Sequence, residues 1–307
     1  MRRPPFTAAS TEAREAGRVL GGIVVGHGTQ TMGHKAAILS FMAQDSPVPI
    51  VLVGSSRSSD RPSSDAALNL IHSVRTAAYS DIAEVMICMF GPTSDRYGLL
   101  HRGTRCRKMH SSYRSTFRTI GDIPLAMVSP TSFTYLNDDF RRRDKTRVPV
   151  IDPVYDDRTT ILYYYPGMNP ALVDALVEKG YHGIVIAGTG LGHVNKPLYP
   201  AIRRATEAGV HIVMAVQTIW GFAQMYVYDT GRDLMDLGIV PLDNMIPETA
   251  LMKLSWVLGH TRERAEVMRL MTTPIAHEIT PREPHNGYLV MQGGLPETDE
   301  WVRGHWK

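Results

Sequence analysis

Cysteine is scarce in this 307-residue sequence: Cys88 and Cys106 are the only two, and they form no CxxC pair. That excludes a disulfide framework and a cysteine-ligated zinc site as organising devices. No run of about 18 uninterrupted apolar residues occurs, so a membrane-spanning helix is not expected. Charge of one sign is also lacking, since 33 Lys plus Arg against 30 Asp plus Glu leave a net charge of +3. A dedicated nucleic-acid binder would carry a stronger basic footprint. The opening MRRPPFTAASTEAREAGRVL has no apolar run of signal length and includes Glu12 and Glu15, so it is not expected to be a targeting segment. These absences together lead us to expect a soluble protein of a reducing, cytoplasmic compartment, with no metal site.

What is present is ordinary globular material, 43% hydrophobic and 21% charged, long enough for about two domains. Short apolar runs read as buried strands at 21–26, 49–54, 84–91, 125–129, 159–166, 183–188 and 211–217. Helical periods separate them at 31–44, 65–79, 170–179 and 247–260. In the first, Ala36, Ile38, Leu39 and Met42 form an apolar stripe expected to face the sheet. The second has a similar stripe. Asn169, Pro170 and Gly180 bracket the third as cap, first residue and stop. Alternating strands and helices predict an α/β fold with largely parallel sheets.

Composition shifts near 131–158, where charge and proline accumulate. This predicts a first α/β domain over 1–145, a linker at 146–158, a second domain over 159–283 and a tail at 284–307. Two readings fit the run Arg141, Arg142, Arg143, Lys145 and Arg147: a solvated linker, or a phosphate-backbone contact diluted by Asp138, Asp139 and Asp144. GTGLGHV at 188–194 lacks the full spacing of a nucleotide-phosphate loop.

Three polar segments follow strands, where ligands of parallel sheets bind. In GHGTQTM, 26–32, the threonines and backbone N–H groups suit a polar substrate, or Thr29 and Thr31 cap the next helix. VGSSRSSDRPSSDAALNL, 53–70, holds more polar chemistry than a turn needs, although Ser64 or Asp65 could serve only as a cap. In HRGTRCRKMHSSYRSTF, 101–117, Lys108 stands among hydroxyls. A lysine held beside a threonine lowers that hydroxyl's proton affinity and fits acyl transfer, although most lysines are merely solvated.

In this order and at these separations, the three segments resemble the asparaginase and glutaminase superfamily. Within it they are most similar to the D-subunit family of archaeal glutamyl-tRNA(Gln) amidotransferases. GYHGIVIAGTGLGHV, DTGRDL, MIPETALMKLSWVLGHT and IAHEITPR extend the resemblance to about residue 283. It implies an asparaginase-like fold, with a partial N-terminal amidase domain and a smaller flavodoxin-like domain carrying a parallel sheet. It also implies a homodimer that hydrolyses glutamine, or asparagine, and passes ammonia to an E-type partner subunit. That partner would carry ATP, Mg²⁺ and tRNA(Gln), leaving this chain without a cofactor.

By matching position, Thr29 and Lys108 are the implied catalytic residues, and Gln30, Ser64 and Asp65 the substrate-binding ones. Two departures matter. The family's nucleophile segment, TGGTI, occurs nowhere in the sequence, and Gln30 replaces a family Asp. That Asp would meet the substrate's ammonium and orient Lys108, and losing such a charge-assisted contact costs about 1.5–3 kcal/mol. The expectation is a chain catalytically incomplete by itself. A non-catalytic scaffold paralogue and a free L-asparaginase-like hydrolase are the alternatives.

Overall fold

The computed structural model of the chain describes residues 20–144 and 146–284. These fall into two units, one built mainly from residues 20–153 and the other from Val154–Glu283. Among the described residues, no helix is long and apolar enough to cross a membrane.

The first unit contains β1 (Ile23–Gly26), α1 (Met32–Met42), β2 (Ile50–Val53), α2 (Ala66–Tyr79) and β3 (Val85–Phe90). After these come β4 (Gly98–Arg102), β5 (Cys106–Lys108), β6 (Phe117–Thr119), β7 (Ala126–Val128) and β8 (Phe133–Tyr135). Six of the strands form one sheet in the order β1-β2-β3-β4-β7-β8, while β5 and β6 make a separate hairpin. Strands β1 to β3 are parallel, as their unbroken apolar runs predict. From β3 onward every pairing in that sheet is antiparallel. The sheet is therefore mixed, and the expectation of a largely parallel one holds only for its first half.

Alternation along β2 and β3 sorts the helices. Met32 and Ala36 of α1 cluster with Ile50, Leu52 and Ile87. Ala77 of α2 clusters with Val51, Met86 and Cys88, which point the other way because successive strand residues alternate faces. Since β1, β2 and β3 are adjacent, parallel and sequential, helices on opposite faces give the two crossovers opposite hands. One of them is thus left-handed, a rarity for parallel strands.

Both helices depart from the expected stripes. In α1 the buried residues are Met32, Ala36, Ala37 and Phe41, with Ile38, Leu39 and Met42 only half-buried. In α2 the arrangement is inverted: Asn69, His72, Ser73 and Thr76 face inward, while Leu70, Ile71 and Val74 face solvent. Local hydrogen bonds make this tolerable. Ser73 and Thr76 donate to the carbonyls of Asn69 and His72 one turn back, which satisfies buried hydroxyls within the helix itself.

Of the basic run, Lys145 lies outside the described residues, and the four arginines are tied by hydrogen bonds within the first unit. Arg141 and Arg143 exchange backbone hydrogen bonds with Ala83 and Asp81, and Arg142 pairs with Asp81 at 2.7 Å. Arg143 donates to the carbonyls of Gly21, Ala77 and Ser80, and so caps the C-terminal end of α2.

The second unit carries β9 (Thr159–Tyr163), α3 (Ala171–Glu178), β10 (Gly183–Gly188), α4 (Tyr199–Glu207) and β11 (His211–Val216). It continues through α5 (Asp229–Asp236), β12 (Val240–Pro241), α6 (Pro247–His260) and α7 (Arg264–Thr272). Its four strands form a wholly parallel sheet in the order β12-β11-β10-β9. Asn169 accepts from the Ala171 N–H, and Gly180, at φ +71°, ends α3 in the left-handed conformation that glycine adopts without penalty. Lys253 is fully buried, 2.5 Å from a Glu278 carboxylate oxygen, and also donates to the carbonyls of Met271 and Thr273. Because removing one partner of such a buried pair costs about 3–5 kcal/mol, this pair pins residues 271–278 to α6.

Residues 146–157 contain no helix or strand, and Val148 and Val150 there are exposed. Limited proteolysis is expected to cut first within 146–158. First cuts inside 170–260 would contradict the division.

A second expectation concerns acid. His72 and His101 are fully buried, and burial pushes them down to about 4 and about 3. Neither ring nitrogen of His72 has a hydrogen-bond partner. Below an unfolded value near 6.5 the unfolded chain takes up protons that the folded chain refuses. Stability should therefore fall as pH drops from about 6.5 towards 4, by up to about 1.4 kcal/mol per pH unit for each histidine. Urea midpoints measured across that range test this, and His72→Phe should remove about half of the slope.

Candidate active site

The loops that leave β1 and β2, together with the β5–β6 hairpin, build the site. Strand β1 ends at Gly26, and the turn that follows buries Thr29 at 6% exposure. Lys108 closes β5, and its Nζ donates to Thr29 Oγ1 at 2.9 Å. Thr31, the residue preceding α1, makes no side-chain capping bond. Of the two readings of GHGTQTM, helix capping is therefore not what these threonine side chains do.

Two glycines permit the contact. A Cβ on Gly33 would lie 2.9 Å from the Cys106 carbonyl oxygen, so only glycine lets α1 approach β5 this closely. A Cβ on Gly54 would lie 2.4 Å from the His27 carbonyl oxygen and 3.3 Å from the Thr29 methyl group. Gly33 and Gly54 thus set the spacing of the three segments, a role their place in the motifs does not announce.

Asp65 is fully buried, and its carboxylate accepts from the backbone N–H groups of Ser56 and Arg57 and from Asn69 Nδ2, each at 2.9 Å. Asn69 also donates to the Gly54 carbonyl at 3.0 Å. The carboxylate therefore holds the loop after β2, and through Asn69 and Gly54 it braces the wall behind Thr29. Ser64 donates to the Arg57 carbonyl at 2.8 Å, which closes the same loop from outside. Gln30 is exposed beside Thr29, with its amide oxygen lying over Gly28.

Of the five residues singled out in the sequence, Thr29 and Lys108 touch. Asp65 reaches them through Asn69 and Gly54, Ser64 belongs to the shared loop, and Gln30 flanks the opening. The motifs do not single out Asn69, Gly33 or Gly54. Only the place of Asn69 one turn after Asp65, on the same helical face, hints at its part.

The chemistry available is that of a hydroxyl beside an ammonium group. Burial pushes the Cys88 thiol up to about 12 and the Cys106 thiol well above its ordinary range, so neither provides a thiolate. The Lys108 ammonium aimed at Thr29 Oγ1 stabilises negative charge developing on that oxygen or on a carbonyl oxygen beside it.

The chain is similar to known proteins along most of its length. The family model "Asparaginase, N-terminal" matches residues 8–141, and "Glutaminase/Asparaginase C-terminal domain" matches 158–271. The D subunit of the glutamyl-tRNA(Gln) amidotransferase of Thermococcus kodakarensis is 52% identical over 282 residues, which is 90% of this chain and 64% of the relative. That of Pyrococcus horikoshii is 51% identical over 269 residues, covering 87% and 61%. This chain therefore spans somewhat less than two thirds of the length of these relatives. Among solved structures, the thermostable L-asparaginase of T. kodakarensis superposes with a TM-score of 0.80 at 29% identity, covering 90% of this chain and 80% of that one. L-asparaginase I of Vibrio cholerae gives 0.75 at 25% identity with the same coverage.

Asp65→Ala leaves two backbone N–H groups and an amide without their acceptor. It should cost about 2 kcal/mol in urea unfolding. Asn69→Ala should cost a similar amount, and the double variant less than the sum, because both side chains serve one network.

Proposed function

The chain belongs to the glutaminase and asparaginase family, and from that premise we propose that it serves as a D-type subunit of a tRNA-dependent amidotransferase. Glutamine is its substrate in this reading, with asparagine the nearest competitor. Ammonia passes to an E-type partner, which carries ATP, Mg²⁺ and tRNA(Gln) and converts Glu-tRNA(Gln) to Gln-tRNA(Gln). The protein works in the cytoplasm as a homodimer and holds no cofactor of its own.

The observation that carries this reading is the 2.9 Å contact between Lys108 Nζ and Thr29 Oγ1 at the carboxyl end of β1. Hydrolysis of a carboxamide needs an oxygen nucleophile, a group to receive its proton and a positive charge facing the developing oxyanion. Lys108 supplies the third, and Thr29, matching the family's second threonine, offers a hydroxyl beside it. The TGGTI segment that carries the family's nucleophile does not occur in this sequence, and Gln30 offers an amide where a carboxylate would orient Lys108. This 307-residue chain alone is therefore a slow hydrolase. Gln30 also supports a second reading, a scaffold that keeps the fold and binds partners without turnover.

Ammonia release from glutamine and from asparagine tests both. Wild type and Gln30→Asp should each stay far below about 1 per second, the low end of ordinary enzymatic rates. Turnover at or above that rate, abolished by Thr29→Ala, would make Thr29 a sufficient nucleophile and overturn the incomplete-chain reading.

A further inference from the structure

Strand β11 ends at Val216, and the loop that follows is tied down at both of its ends. Gln217 donates from Nε2 to the carbonyls of Tyr164 and Ala187, at 2.8 and 2.9 Å, and from its backbone N–H to the Gly188 carbonyl. At the far end the Ala223 N–H donates to the Asp243 carbonyl at 2.8 Å. Between these anchors the backbone takes two left-handed positions, Ile219 at φ +76° and Gly221 at φ +100°. Glycine adopts such a conformation freely. A β-branched residue does so only where its surroundings impose it.

A carboxylate lies on the strained turn. The Gly221 N–H donates to both oxygens of Glu283, at 3.1 and 3.2 Å. Asn244, only 2% exposed, donates from Nδ2 to Glu283 Oε1 at 3.4 Å and to Thr280 Oγ1 at 2.6 Å. Glu283 arrives on a strap, residues 273–283, that is firm at its base and lighter at its end. At the base Glu278 is fully buried against Lys253 and accepts from the N–H groups of Ile275 and Ala276. In the middle the Thr280 N–H donates to Asn244 Oδ1 at 3.0 Å. Beyond it Pro281 and Arg282 are exposed and Glu283 is half-buried. The strap is therefore held without Glu283.

We propose that Gly221 and Asn244 form a binding site for a small carboxylate, and that Glu283 is its intramolecular occupant, a latch that keeps the loop 217–222 closed. Both site groups are N–H donors, and a carboxylate, which only accepts, satisfies the two at once. The place fits as well. This loop leaves the carboxyl end of a parallel strand, the rim at which open α/β sheets bind ligands. With the seat empty, Ile219 is free to return to an ordinary φ, so the loop has two arrangements and the carboxylate selects between them. A free carboxylate, such as that of an amino acid, competes with Glu283 only above the effective concentration of the tethered group, which is millimolar for a short tether. The site is closed by default and answers to an abundant carboxylate.

Hydrogen–deuterium exchange of the whole chain reads the loop without any turnover. Glu283→Ala should raise exchange within 217–224 by about tenfold or more, since local opening governs such amides, while β10 and α6 keep wild-type protection. Sodium acetate, compared with sodium chloride at the same ionic strength, should slow that segment in Glu283→Ala back towards wild type and leave wild type unchanged. Exchange that stays at the wild-type level in Glu283→Ala would overturn the latch. Faster exchange that acetate does not reverse would overturn the carboxylate site. A rise that spreads through residues 271–278 and α6 would make Glu283 part of the strap's packing, and would overturn it too. Glu283→Gln keeps the side chain's volume without its charge and serves if the alanine variant does not fold. It should show the same rise, reversed by acetate, and indifference to acetate there counts equally against the site.

Discussion

A methyl group on Gly33 would stand 2.9 Å from the Cys106 carbonyl oxygen, and one on Gly54 would stand 2.4 Å from the His27 carbonyl oxygen. Three backbone segments, separated by dozens of residues, are thus packed closer than any side chain permits. The contact between Lys108 and Thr29 rests on that spacing. Lys108 lies two residues beyond Cys106 on β5, and Thr29 lies two residues beyond His27 after β1. If either backbone withdrew by the few tenths of an ångström that a Cβ demands, a hydrogen bond of 2.9 Å would pass towards the limit of useful geometry. The site is therefore a product of main-chain packing first and of side-chain identity second.

The same requirement extends into α2. Its N-terminal turn supplies Asp65 and Asn69, which hold the loop after β2 against the Thr29 turn. A helix cannot rotate one turn without rotating the rest, so the inward polar face at Asn69 continues through His72, Ser73 and Thr76. The cost is visible in His72, whose imidazole is buried without a hydrogen-bond partner and held neutral. Placing α1 and α2 on opposite faces of β1 to β3, with one unusual crossover, belongs to the same set of local exceptions. Departures from the ordinary rules of packing and handedness gather around one loop cluster, as expected where function constrains a fold.

Much of the molecule was legible in the sequence. The buried runs IVLV, VMICMF, GIVIAG and HIVMAV are apolar almost throughout and rich in β-branched residues, as strands covered on both faces are. Helix α6, with Pro247 and Glu248 in its first turn, begins and ends where its caps predict. What escaped was short or polar. Strand β4 reads GLLHR, with a histidine and an arginine that are fully buried, so its hydropathy gives no strand signal. Helices α4 and α5 run for only nine and eight residues and are rich in charge. The two-faced nature of α2 was hidden for a different reason. Periodicity finds a stripe but cannot say which way it faces, because the direction is decided by Asn69 reaching a carbonyl 15 residues earlier in the chain.

The electrostatics of the site follow from how its one buried carboxylate is used. Asp65 accepts three hydrogen bonds from two backbone amides and one side-chain amide, so its charge is bound to the loop and does not face Lys108. The residue next to Thr29 that could have carried a second carboxylate is Gln30, which is neutral and exposed. The reacting end of the site, among the described residues, is thus a hydroxyl and an ammonium, a pair that stabilises an oxyanion once formed but contains no base to create it. A lysine that donates to a threonine oxygen cannot at the same moment remove that threonine's proton. In the proposed reaction a group able to receive the proton comes from elsewhere than this pair, and Thr29 follows β1, which stands at one end of the strand order among the described residues.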